Sequence, residues 1–170
     1  MVKSTSINKI THLSLLCAIS IILGYIESLI PFQLGIPGAK IGLANIITII
    51  TLLCFGFQEA FLIMILRVFI IGITFTNLYM IMYSLSGGIL SLIMMYIFYR
   101  TQHFSNYIIS IIGGIFHNIG QLIVAMIFFN STTLAYYLPY LLLLGLISGT
   151  IIGIISQIIF TKIGSYIKRR

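Results

Sequence analysis

Residues 137–160 read YLPYLLLLGLISGTIIGIISQIIF, a run with no charge and no alternation of polar with apolar positions. As a helix it is long enough to cross about 30 Å of hydrocarbon while satisfying its own backbone hydrogen bonds. A transmembrane strand would instead alternate polar and apolar residues over segments of about ten. The whole chain shares this character: it is 60% hydrophobic and 6% charged, with a mean hydropathy of +1.19, whereas soluble domains carry about a quarter charged residues. The fold class expected is therefore all-α, a polytopic membrane protein with lipids as its first partners.

Gly, Pro, polar residues or charges interrupt the apolar pattern at 31–38, 55–58, 74–77, 100–106 and 130–139, and each interruption marks a turn. Six transmembrane helices result, at about 10–30, 41–55, 58–74, 78–99, 106–129 and 138–166, forming one domain over 1–170. The second and third are short for a full span. The first is expected to stay attached rather than act as a cleaved signal, because no small-x-small site follows it.

The formal charge of +7 does not point to nucleic acid, since Lys3 and Lys9 flank one terminus and Lys162, Lys168, Arg169 and Arg170 the other. Short cytoplasmic loops are rich in Lys and Arg. That rule, with six spans, places both termini and Arg100 in the cytoplasm and leaves Lys40 on the outer face. Cys17 and Cys54 lie in apolar sequence without metal-ligand spacing, so they are expected to be buried thiols and no metal is expected.

Charged and amide side chains inside hydrocarbon require a partner, a wet cavity or a ligand. They are few here. Glu27 falls near the outer end of helix one, Lys40 and Asn45 at the outer start of helix two, and Arg67 near the middle of helix three. In HNIGQ, His117, Asn118 and Gln121 are spaced three and four apart, which puts them on one side of helix five. Lys40, Asn45, Arg67, His117, Asn118 and Gln121 are thus the candidate substrate-binding residues, with Glu27 the candidate counter-ion of either Lys40 or Arg67. Arginine favours bidentate carboxylate or phosphate partners, so an anionic group is the expected ligand chemistry. Gly145, Gly149 and Gly153 recur every fourth residue of helix six, and Ser84, Gly87, Gly88 and Ser91 line helix four. Both sets suit close helix packing, within the bundle or against a partner.

The chain has no aspartate, and its two acidic residues are Glu27 and Glu59. Holding Mg²⁺ against a diphosphate takes several hard oxygen ligands, so this chain alone is not expected to condense prenyl diphosphates. It has no Gly-rich Walker loop and no histidine pair suited to haem, and no cofactor is expected.

The blocks ESLIP (27–31), PGAKIGLANI (37–46), FGFQEA (55–60), LR (66–67), SLSGGILS (84–91) and HNIGQ (117–121), in this order, resemble the bacterial membrane family called Gx transporter. Its members are often labelled heptaprenyl diphosphate synthase component I. The resemblance covers essentially the whole chain and implies kinship with the S components of energy-coupling factor transporters. Those are six-helix bundles that hold a small ligand towards the outer face of the cytoplasmic membrane. They dock through small residues of helix one onto a transmembrane coupling subunit served by ATPases; here Ser14 and Ala18 have that spacing, and Ile22 departs from it. The label implies instead a non-catalytic accessory role beside a soluble prenyl synthase in menaquinone synthesis or a quinone-linked redox assembly. The function expected is therefore a membrane-embedded binding or transport protein for a small, anionic, amphipathic molecule, with the accessory role as the alternative.

Overall fold

The computed structural model describes the backbone of residues 2–29 and 42–167, and the side chains of 8–29 and 42–162. Among the described residues six α-helices follow one another: α1 Val2–Leu29, α2 Asn45–Cys54, α3 Phe57–Phe75, α4 Leu78–Thr101, α5 Asn106–Phe128 and α6 Leu138–Ile167. A 3₁₀ segment, Thr132–Tyr137, lies between the last two. Local chemistry sets several of the ends. The Asn77 side chain caps α4 by accepting from the Met80 N–H at 3.0 Å, and the Ser105 hydroxyl caps α5. Gly56, at φ +109°, makes the tight turn from α2 into α3.

Five helices are long and apolar enough to cross a membrane, whereas α2 has only ten residues. At 1.5 Å per residue it rises about 15 Å, half of a hydrocarbon core. It begins at Asn45, later than the expected position 41, because Gly42 to Ala44 form a turn with Gly42 at φ +81°. In the other direction α1 extends well before position 10 and carries Lys9 alongside α3, where it pairs with Glu59.

Helices α3 to α6 pack in chain order and α1 packs on α3, while α2 touches α1, α3, α4 and α6. The short helix is therefore the axis of the bundle. Its sequence explains why: NIITIITLLC is apolar apart from Asn45, Thr48 and Thr51, and eight of its residues, those three included, are buried. Such a helix belongs in an interior. Ile49, Ile50 and Leu52 meet Met64 of α3, Leu92 of α4, Ile109 of α5 and Ile152 of α6 in one core. The outer faces remain greasy, with Ile73, Leu78 and Ile127 at least 70% exposed, as suits side chains facing lipid.

Backbone contact holds the α4–α5–α6 side. A Cβ added at Gly145 would lie 2.8 Å from the Gly114 carbonyl oxygen, one at Gly149 2.7 Å from the Ile111 Cα, and one at Gly120 2.9 Å from the Gly87 Cα. The glycines of helices four and six are thus spent on packing within the chain. The two GG pairs do related work: Gly88 receives the Met64 thioether and Gly87 meets the α5 backbone, while Gly113 receives Met95 and Gly114 meets the α6 backbone. By contrast α1 is only 11% buried over its span, against 28–44% for the other four long helices.

The two kinds of glycine contact should respond differently to a methyl group. Gly114→Ala pushes against rigid backbone and should lower stability by about 1–3 kcal/mol, whereas Gly88→Ala meets a flexible methionine and should cost less. Thermal unfolding of the two variants in one detergent checks the order; equal losses would contradict the backbone contact.

Candidate functional site

Because α2 fills only half the height of the bundle, a cavity remains beside its first residue. Its walls include Gly24 and Glu27 of α1, Gly42, Ala44 and Asn45 at the start of α2, Arg67 and neighbours on α3, Ser84 of α4 and His117 of α5. The cavity is partly open, and its volume is about 40 Å³, room for about three waters at roughly 10–15 Å³ each. A carboxylate-sized group fits such a space.

Arg67 dominates the electrostatics. Its guanidinium is 6% exposed and donates from Nη2 to the Asn45 side-chain oxygen at 3.3 Å. Asn45 is its one hydrogen-bond partner among the described residues, and no carboxylate closes into an ion pair with it there. Five N–H donors on a fixed planar fork thus have a single neutral acceptor. Glu27 acts on Arg67 through space, and its Oε1 accepts a hydrogen bond from the Gly42 N–H. That contact explains the positive φ of Gly42: the turn must aim its N–H at α1 while leaving room for Asn45, whose Nδ2 would lie 2.9 Å from an added Cβ.

The polar stripe of α5 divides. His117, Asn118 and Gln121 are all buried, at 6%, 4% and 5% exposure, as their common side of the helix predicts. His117 faces the cavity. Gln121 bonds to His117 Nε2 at 3.2 Å with its own Oε1 left unpaired, and so stands behind the histidine. Asn118 donates to the Leu141 carbonyl at 2.9 Å and ties α5 to α6. Lys40 lies outside the described residues. Ser14 and Ala18 are both exposed on the outer side of α1. Nine wall residues were not singled out for the site from sequence, Gly24, Gly42, Thr76 and Met80 among them; the glycine of GLAN, three residues before the asparagine, was the available signal.

Gly42→Ala should therefore cost more than an ordinary surface change. The left-handed conformation alone costs a residue with a Cβ about 1–2 kcal/mol, and the methyl also crowds the amide that holds Arg67. A melting temperature equal to that of the unaltered protein would argue against this turn.

The comparisons with known proteins bear on the whole chain. The family model described as heptaprenyl diphosphate synthase component I matches residues 16–159. No curated protein and no solved structure matches. The matched stretch runs from the middle of α1 nearly to the end of α6 and takes in every described residue of the cavity. This membrane protein, with its half-length central helix and buried arginine, belongs to the heptaprenyl diphosphate synthase component I family.

Proposed function

We propose that the protein is a membrane-embedded binding or transport protein whose ligand is a small amphipathic molecule with an anionic head. One observation carries this: Arg67 is 94% buried beside a cavity, and among the described residues a single neutral side chain accepts a hydrogen bond from it. A buried cation without a direct counter-ion is costly in hydrocarbon, and an anionic head seated on the guanidinium would supply one. His117, Asn45 and Ser84 offer further hydrogen bonds in the same space. Gln121 and Asn118 act at one remove, the first by orienting His117 and the second by fixing α5 against α6. The exposed Ser14 and Ala18 on the sparsely covered α1 suit docking onto a coupling subunit. The positive-inside rule puts the termini in the cytoplasm of a bacterial cell, with the cavity towards the outer face.

The family description favours a second reading, in which the chain is the non-catalytic membrane component of a prenyl diphosphate synthase. A family named for a component I implies a partner component. The two Glu and no Asp of this chain leave the metal-dependent chemistry to that partner.

Native mass spectrometry of the protein, extracted gently from its host membrane, tests both. Retention of a stoichiometric anionic small molecule is expected. Arg67→Met should weaken it by about 10- to 100-fold, the equivalent of the 1.5–3 kcal/mol typical of a hydrogen bond to a charged group. Undiminished retention in that variant would overturn the binding site. An empty protein carrying a soluble aspartate-rich synthase would establish the accessory role instead.

A further inference from the structure

We infer that the connection between α5 and α6, residues 129–140, lies in the phospholipid head-group layer of the leaflet farther from the two termini, anchored there by Tyr136, Tyr137 and Tyr140. The inference concerns a surface remote from Arg67 and stands independently of the binding role proposed above.

The stretch reads FNSTTLAYYLPY and carries no charge. Before it, α5 closes with a Schellman motif: the Ser131 N–H donates to the Met126 carbonyl and the Asn130 N–H to the Ile127 carbonyl, with Asn130 in the left-handed region at φ +45°. The chain then folds down onto the helix ends, because Leu134 and Leu138 pack on Leu122 of α5 and Leu141 of α6. No residue of the 3₁₀ segment is buried. Tyr136 is 86% exposed, and Phe129, Tyr137 and Tyr140 are exposed beside it.

Two constraints fix where such a segment can lie. Hydrocarbon does not accept lipid-exposed irregular backbone, since unpaired N–H and C=O groups find no water there. Bulk water is a poor setting for a cluster of exposed rings. The layer between satisfies both, because a tyrosine ring can face acyl chains while its hydroxyl meets ester, phosphate or water, and tyrosine is enriched at that level. With no Lys or Arg in the stretch, the contact requires no anionic lipid.

Other rings mark the same level. Tyr79 at the start of α4 lies edge-on to Phe128 at the end of α5, with centroids 5.5 Å apart, and Tyr25 of α1 meets Phe75 of α3 at 4.4 Å. At the opposite end stand Tyr99 of α4 and Tyr107 of α5. Tyr79 to Tyr99 and Tyr107 to Phe128 are twenty and twenty-one residues, about 30 Å of helix, which equals the thickness of the hydrocarbon core. On this frame Arg67, eight residues before Phe75, lies about 12 Å below the layer.

The chain contains no tryptophan, so a single introduced one reports its own surroundings. The full chain carrying Tyr136→Trp is reconstituted in phosphatidylcholine vesicles brominated either near the head-group end of the acyl chains or near their methyl ends. The shallow bromines should quench it about twofold more strongly than the deep ones, and iodide in the water on both sides only weakly. Ile151→Trp, eleven residues beyond Tyr140 along α6 and so about 16 Å deeper, should show the reverse order of bromines. With Phe129→Trp as the reporter, changing the three tyrosines to serine should raise iodide quenching about twofold; no rise would overturn their anchoring role. Strong iodide quenching of Tyr136→Trp without a response to bromine would place the connection in open water. Quenching by neither would mean that protein covers it, a second copy of the chain included, and a depth equal to that of Ile151→Trp would bury it in hydrocarbon. Each of these three results would overturn the inference.

Discussion

The length of α2 is the constraint on which the site depends. Its residues are mostly apolar and buried on every side, which draws it to the centre of the bundle, yet it has only ten of them. A central helix that stops about halfway across the hydrocarbon leaves the remaining height to whatever its neighbours project inward. Here those neighbours project a guanidinium, a carboxylate and an imidazole. The polar side chains are therefore grouped by a shortage of core rather than scattered through it. Asn45, the first residue of the helix, is where packing ends and the cavity begins.

The helices around this axis are held by two different means. Between α4, α5 and α6, glycines bring backbone against backbone, and small residues of this kind are what drive association where lipid removes the hydrophobic difference between inside and outside. Between α1 and the rest, side chains rather than backbone make the contact: Leu13, Leu16, Cys17 and Leu23 pack on the core, with polar links beside them. Lys9 meets Glu59, Gly24 takes the Ile71 side chain, and Glu27 receives the Gly42 N–H. The Glu27 contact is also part of the site.

Much of this was legible in the sequence, for identifiable reasons. Apolar runs broken by polar turns give the helices, and Asn77 and Ser105 stand where capping chemistry wants them. Buried polar residues in a lipid-facing chain announce themselves, so Arg67, Asn45 and His117 could be named before any coordinates. What escaped was decided by tertiary contact. Leu43 and Ala44 continue the apolar pattern of α2, so its later start follows only from the turn at Gly42, whose N–H answers a carboxylate fifteen residues away. Lys9 and Glu59 are fifty residues apart and nothing local links them. Likewise the common side of His117, Asn118 and Gln121 follows from helical spacing, but which of them reaches the cavity, the histidine or the α6 backbone depends on rotamers.

The sparse attachment of α1 also bears on how the chain is assembled. Its first helix leaves the ribosome before any of its contact partners exist, and its exposed apolar side chains, Ile10, Leu15, Ile22 and Leu29 among them, suit it to standing in lipid. It can wait there as a simple anchor. Glu59 and Ile71 arrive with α3, and the turn at Gly42 can present its N–H only when α2 has folded back beside them. The glycine-lined half, α4 to α6, is synthesised last and has no such freedom, because each of its helices needs the next one's backbone to fill the gap beside it. Biogenesis therefore ends with the tightest joint, and the wall of the cavity that is made earliest is the one least fixed by it.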